Sequence, residues 1–179
     1  MGEHDLPPIA LSVRQPWAWA IVAGHKRIEN RTRGAIRSGG MDCRRIAIHA
    51  AKGLKEDEFH WGYWRLHRHG VQCPHPAELP RSAIIGVCEV VDIIEQSDSE
   101  WFGGPCGLVL ENASMFDPIP AKGALGYFEW QKGGTLAPPT MWMNSFDAPN
   151  GDENTLSLFD RLEPSFKTDP SRPSRKQRA

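Results

Sequence analysis

Hydrophobic positions fall in short blocks broken by Gly, Pro and charged residues, a rhythm of strands and short helices. Ile9 to Val13 reads as a first strand. Pro16 to Val22 reads as a short helix: Pro suits the first turn, where its missing N–H has no partner to lose, and Trp17, Ala20 and Ile21 share one face. Gly24 suits the helix end, because a left-handed closing residue costs glycine little. Ile28 to Arg31 then enters a strand that places Glu29 and Arg31 on the same face. Arg45 to His49 is a second apolar strand, and Glu56 to His67 a helix carrying Phe59, Trp61, Tyr63, Trp64 and Leu66. Along Ile84 to Ile94 the odd positions are apolar except Glu89, an inward-facing carboxylate read first as a structural partner and second as part of a pocket. Gly107 to Leu110 and Gly123 to Trp130 complete the strands, with a turn expected at Pro118-x-Pro120. Met141-Trp142-Met143 is expected to fold back on this body. The pattern gives an α+β domain and supports a barrel with flanking helices.

Composition adds one domain and a tail. The 179 residues are 40% hydrophobic and 24% charged, ordinary for a globular chain. The folded domain is expected over 1–146 and a largely flexible extension over 147–179, with a short docking helix around Leu156, Leu158 and Phe159 and a basic end from Arg172 to Arg178. No apolar run approaches the roughly 18 residues a membrane span needs, and the first residues lack a secretory layout, so a cytoplasmic protein without membrane contact is expected. Cys43, Cys73, Cys88 and Cys106 are widely spaced and read as reduced thiols.

Charge is uneven although the net is −1. Residues 1–80 carry 12 Lys and Arg against 8 Asp and Glu, whereas residues 81–146 carry 3 against 8. Lys26 to Arg45 alone holds seven cations, interrupted by Gly34, Gly39 and Gly40, which reads as a flexible loop able to track phosphates or as a solvated basic loop.

The densest chemistry is G-x-K-x-x-E-x-R at 24–31, with Arg14, Gln15 and Trp17 just upstream. A regular strand puts Lys26 and Glu29 on opposite faces, so their pairing requires Lys26 to sit in the turn or at a bulge. The bland alternative is a solvated turn, whose ion pairs are worth about 0 to 1 kcal/mol. His67, His69, Cys73 and His75 offer zinc-type ligands, but their spacing matches no standard site, and neither metal nor cofactor is expected. The chain has no G-x-S-x-G, Walker or dinucleotide string.

These strings together resemble the ASCH domain, a branch of the PUA-like superfamily. The resemblance rests on L-S-V-R-Q-P-W-A at 11–18, the motif at 24–31, I-A-I-H-A-A at 46–51, G-V-C-E-V-V-D at 86–92, G-P-C-G-L-V-L-E-N at 104–112 and P-I-P-A-K-G-A-L-G-Y-F at 118–128. It implies a PUA-like (ASCH) barrel that binds RNA, single-stranded nucleic acid or a modified nucleobase. The implied cleft is rimmed by Trp17 or Trp19, with Lys26 and Arg31 holding phosphate or a carbonyl and Glu29 accepting from an exocyclic amine. Arg14, Gln15, Asn30, Arg33 and Lys122 complete the expected binding set. The resemblance also implies a runner-up, a hydrolase acting on RNA or a modified nucleoside, with Lys26, Glu29 and Arg31 as its catalytic group. Acetylcytidine-deacetylating members carry a hydroxyl residue three positions after the lysine, where this chain has Glu29. A protein-interaction scaffold using the seven tryptophans ranks third. Lys26→Ala and Glu29→Gln are expected to abolish ligand engagement and leave the fold intact.

Overall fold

The computed structural model describes residues 6–148; the segment around Leu156 to Phe159 and the basic end at Arg172 to Arg178 lie outside the described residues. All elements belong to the unit Met1–Phe146. In chain order they are β1 (Ile9–Val13), α1 (Trp17–Val22), β2 (Ile28–Arg31), α2 (Arg33–Ser38), β3 (Arg45–Ala50), α3 (Glu56–Arg68), β4 (Ala83–Ile94), β5 (Cys106–Pro120), β6 (Tyr127–Glu129) and α4 (Met141–Asn144). The strands form one six-stranded sheet in the order β2-β5-β4-β3-β1-β6. β1 and β3 run parallel, and the other neighbours are antiparallel. Register shifts along β4–β5 and within β3–β4 add local bends, and the six strands curl into a half-barrel with four short helices, an α+β fold.

Alternation along the strands serves two faces. Ile85 on β4 joins Leu11, Val13, Ile46, Ile48 and Leu108 in the main core, covered by Ala18, Ile21 and Val22 of α1. The neighbouring Ile84 turns to the other face, with Ala10, Ala47 and Ala121, against Phe116, Phe128 and Trp130. A third cluster joins Phe59 and Leu66 of α3 to Ala20, Leu79 and Met143. Helix α3 agrees with its charges as well as its apolar face: Glu56, Asp57 and Glu58 occupy its first turn, and Arg65, His67 and Arg68 its last.

α1 lies unusually close to β4. A Cβ at Gly86 would fall 2.5 Å from the Ser114 carbonyl and 2.5 Å from Val22 Cγ1. Gly86→Ala should therefore force strand and helix apart and cost about 1–3 kcal/mol, the usual range for an overpacked core. Chemical denaturation that finds less than 0.5 kcal/mol, on the order of a surface change, would contradict this packing.

Several sequence expectations change in detail. The glycine-interrupted basic segment, read as a loop, contains helix α2, because Thr32 Oγ1 accepts the Ala35 N–H and Gly39 N–H closes the turn on the Ala35 carbonyl. Pro118 to Pro120 is the end of β5 and not a turn: Ile119 pairs with Ile84 and Pro120 with Ala83. The closing strand shrinks to Tyr127–Glu129, since Gly126 takes φ +70° just ahead of it. Glu89 is half-buried and accepts from Asn112 Nδ2 at 2.7 Å, so it is a cross-strand partner and lies outside the cleft described below. Met143 is buried while Met141 is exposed, so only part of the Met-Trp-Met cluster folds inward. All four cysteines are free. Among the described residues no helix is long and apolar enough to cross a membrane.

Candidate functional site

The turn between α1 and β2 sets the site. Gly24 takes φ +81°, and the His25 and Lys26 N–H groups both reach back to the Ala20 carbonyl, 2.8 and 2.9 Å away. This reversal keeps Lys26 out of regular strand geometry, so its ammonium can reach the same carboxylate that Arg31 meets. Lys26 Nζ donates to Glu29 Oε2 at 2.8 Å and to the Ile28 carbonyl. An Arg31 Nη lies 3.0 Å from Glu29 Oε1 and donates to the Ser12 carbonyl at 2.9 Å. One carboxylate thus bridges two cations, and one of them also ties β2 to β1.

This is a buried network, unlike a solvated turn: Lys26 is 5% exposed and Glu29 8%. Burial opposes charge on both groups. At Glu29 the ammonium of Lys26 and the guanidinium of Arg31 outweigh it and hold the carboxyl below its ordinary value. At Lys26 burial dominates, aided by the positive neighbours Arg31 and Arg65, and the ammonium is held below its ordinary value although Glu29 pulls the other way.

Glu29 and Arg31 emerge into an open cleft of about 1000 Å³. Ser12, Arg14, Trp17, Asn30, His49, Lys52, Lys122, Gly123, Leu125 and Thr135 also contribute to its wall. Trp17 is braced edge-on by Trp61 and Trp101, with centroids 5.6 and 6.4 Å away, and Lys26 Nζ sits 5.8 Å from its ring centre. Asn30 lines the cleft while holding the loop that carries Trp101: its Nδ2 donates to the Trp101 carbonyl and its Oδ1 accepts the Gly103 N–H, both at 2.8 Å. Arg14 pairs with Glu58 at the rim.

Other residues of the expected set lie elsewhere. Lys26 supports Glu29 without lining the cleft. Gln15 is buried and structural: its Oε1 takes the Trp19 N–H at 3.0 Å, and its Nε2 donates to the Pro80 carbonyl at 2.8 Å. Arg33 is exposed and held by Glu95 through two hydrogen bonds of 2.8 and 2.7 Å, while Arg44 is paired with Asp42. The basic segment is thus partly neutralised by its own acids. Trp19 packs on His25 at 5.4 Å and on the α3 cluster. Of the zinc-type group, His69 packs on Trp101 at 4.1 Å, His75 bonds the Phe146 carbonyl and Cys73 the Pro74 carbonyl. Among the described residues no three His, Cys, Asp or Glu side chains converge.

Sequence reasoning assigned no role to Ser12, His49, Lys52 or Gly123, all of which line the cleft. Ser12 and His49 are register partners on parallel strands, a relation that no spacing along the chain reveals. Buried Arg81, also unassigned, shapes the cleft indirectly by donating to the Lys52 carbonyl at 2.7 Å and the Pro138 carbonyl at 2.6 Å.

The sequence profile of the ASCH domain matches residues 11–137. Solved structures of the ASCH protein from Zymomonas mobilis are similar. The unsubstituted protein aligns at 14% identity and TM-score 0.34, covering 76% of this chain and 90% of that one. Two mutant forms align at 15% and 17% identity with TM-scores 0.35 and 0.34, covering 84% and 63% of this chain and 94% and 74% of theirs. No curated protein matches.

Proposed function

The chain belongs to the ASCH domain family, and from that premise we propose that it binds RNA or a modified nucleobase in the cleft beside Glu29 and Arg31. The observation that carries this reading is the composition of one wall: a carboxylate held ionised, a guanidinium and an indole face the same space. A carboxylate fixed in its charged form accepts from the N–H edge of a base, the guanidinium donates to a carbonyl or phosphate, and the indole supplies a stacking surface. Arg14, Lys52 and Lys122 are exposed cations at the same cleft, placed to meet the backbone of a single strand whose base enters it.

The motif has less to offer as an acid–base catalyst. Glu29 is held below its ordinary pKa and so makes a weak base near neutral pH, and Lys26 does not reach the cleft. Binding is therefore the reading we favour for this triad.

Filter retention of a cellular RNA pool across a salt series tests it. Lys52→Ala and Lys122→Ala should each weaken retention and flatten the salt dependence by about one phosphate contact. Arg33→Ala and Arg37→Ala, outside the cleft wall, should change it far less. Retention that depends on Arg33 and Arg37 but not on Lys52 and Lys122 would move the interface to α2 and contradict the proposal.

A further inference from the structure

The cleft contains a hydroxyl and an imidazole that binding alone does not require. Ser12 on β1 and His49 on β3 are register partners, and Ser12 Oγ lies 3.0 Å from His49 Nδ1. The opposite ring nitrogen, Nε2, lies 3.0 Å from the Ala121 carbonyl oxygen. A carbonyl only accepts, so Nε2 carries the proton in the neutral ring and Nδ1 presents a lone pair. Ser12 is then the donor, with its O–H directed at a base.

The surroundings suit chemistry at that oxygen. His49 is 2% exposed and packed edge-on against Phe128 at 5.9 Å, so the ring has a fixed orientation. Burial holds it below its ordinary pKa, against the Ala121 hydrogen bond, which keeps it neutral near pH 7. Ser12, in contrast, is part-exposed and lines the cleft. Gly123 passes directly over both: a Cβ there would come within 2.8 Å of Ser12 Oγ and 2.4 Å of His49 Cε1. The Arg31 guanidinium bonded to the Ser12 carbonyl sets positive charge beside the serine. A hydroxyl on an oriented base is the nucleophile pair that acyl transfer uses, and the guanidinium stands beside it, shared with Glu29.

We propose that Ser12 is a nucleophile activated by His49, and that the cleft cleaves a carboxylic ester or amide through an acyl-serine intermediate. Ser12 Oγ attacks the carbonyl carbon as its proton passes to His49 Nδ1, and the carbonyl π pair moves onto oxygen beside Arg31. Collapse of this oxyanion breaks the bond to the alcohol or amine, which leaves with the proton from Nδ1. Water then attacks the acyl-serine with Nδ1 again taking the proton, releasing the carboxylic acid and restoring Ser12. Throughout, Nε2–H stays on the Ala121 carbonyl and steadies the imidazolium. The chemistry is distinct from the Lys26–Glu29–Arg31 reading, in which the hydroxyl expected at position 29 is replaced by a carboxylate; here the hydroxyl comes from β1. It shares with the binding proposal only the premise that the cleft is the ligand site.

The test is a fluorophosphonate probe incubated with the full chain, with the adduct located by peptide mass spectrometry. The expected result is labelling of Ser12 in the folded protein, absent in Ser12→Ala and slowed about 100-fold in His49→Gln, the lower end of what a positioned base contributes. No adduct at Ser12, or one that forms equally fast in His49→Gln or in urea, would overturn the proposal and leave the Ser12–His49 bond a structural tie. Because His49 is buried and its variant can lose the fold, Ser12→Cys provides a reading with the histidine intact. Iodoacetamide should modify the introduced thiol faster than exposed Cys43; a slower or equal rate counts against activation. RNA retention is scored separately. Labelling without retention removes only the binding proposal, and retention without labelling removes only this one.

Discussion

Glu29→Gln is expected to destabilise the domain by about 3–5 kcal/mol, the range for removing one member of a buried ion network. The variant leaves Lys26, 5% exposed, and the partly buried Arg31 facing a neutral amide that offers one acceptor where the carboxylate served two cations. For a domain of this size that is a fall in melting temperature of roughly 10 °C or more. The buried network gives this substitution a stability cost in addition to the expected loss of ligand engagement. Lys26→Met should cost less, about 1–2 kcal/mol. Its ammonium is disfavoured by burial, a thioether chain fills similar space, and Glu29 keeps Arg31. Equal losses in the two variants would show that the pair is a simple two-body bridge.

Acid should expose the same asymmetry. Glu29 has a folded pKa below the ordinary 4.5, so its contribution is complete above that unfolded value and is lost as pH falls through the folded one. The stability gap between wild type and Glu29→Gln should therefore be constant from pH 6 to 8 and narrow below about pH 4.5. Urea titrations across this range measure it, and a gap that persists unchanged into strong acid would mean that the carboxylate charge is not what stabilises the site.

Phe59→Ala is the second large effect, about 3–5 kcal/mol for a buried aromatic truncated to a methyl group. Phe59 is fully buried and meets Phe146 edge-on at 5.1 Å, Trp142 at 5.9 Å and Tyr63 at 6.0 Å. It anchors α3, and α3 in turn supports the cleft. Gly62 admits the Pro16 ring so closely that a Cβ would stand 2.7 Å from it, and Trp61 braces Trp17. The loss should therefore appear twice: as lower stability, and as weaker ligand stacking on Trp17 at temperatures where the domain is still folded. Thermal melts together with RNA retention at 10 °C separate the two. Full retention in the folded variant would mean that Trp17 holds its place without α3.

How much the chain disclosed depends on the range of the interaction concerned. Local signals were legible: Gly24 ends α1, Lys26 sits in the turn, and Glu29 shares a strand face with Arg31, as a period of two requires. The meeting of Lys26 with Glu29 followed from the same local logic. Helix α2 was hidden because its glycines and charges read as loop, and the deciding contact is a single Thr32 cap. Gln15 and Arg33 were assigned to the ligand on their chemistry and on the family resemblance, and both bond protein partners from distant segments, Pro80 and Glu95. Ser12 and His49 stood inside quoted motifs without a role, because only parallel strand pairing across 37 positions brings them together. Burial was the other missing quantity: the string of charges at 24–31 reads the same whether it is solvated or enclosed.

The most direct measurement is photo-crosslinking of RNA containing 4-thiouridine to the full chain, with the crosslinked peptides sequenced by mass spectrometry. Binding at the cleft predicts crosslinks on Trp17 and on the Lys122–Leu125 loop, both in the cleft wall. Crosslinks confined to the basic segment from Arg33 to Arg45, which contains α2, or no crosslinks above those of an unrelated protein, would contradict it.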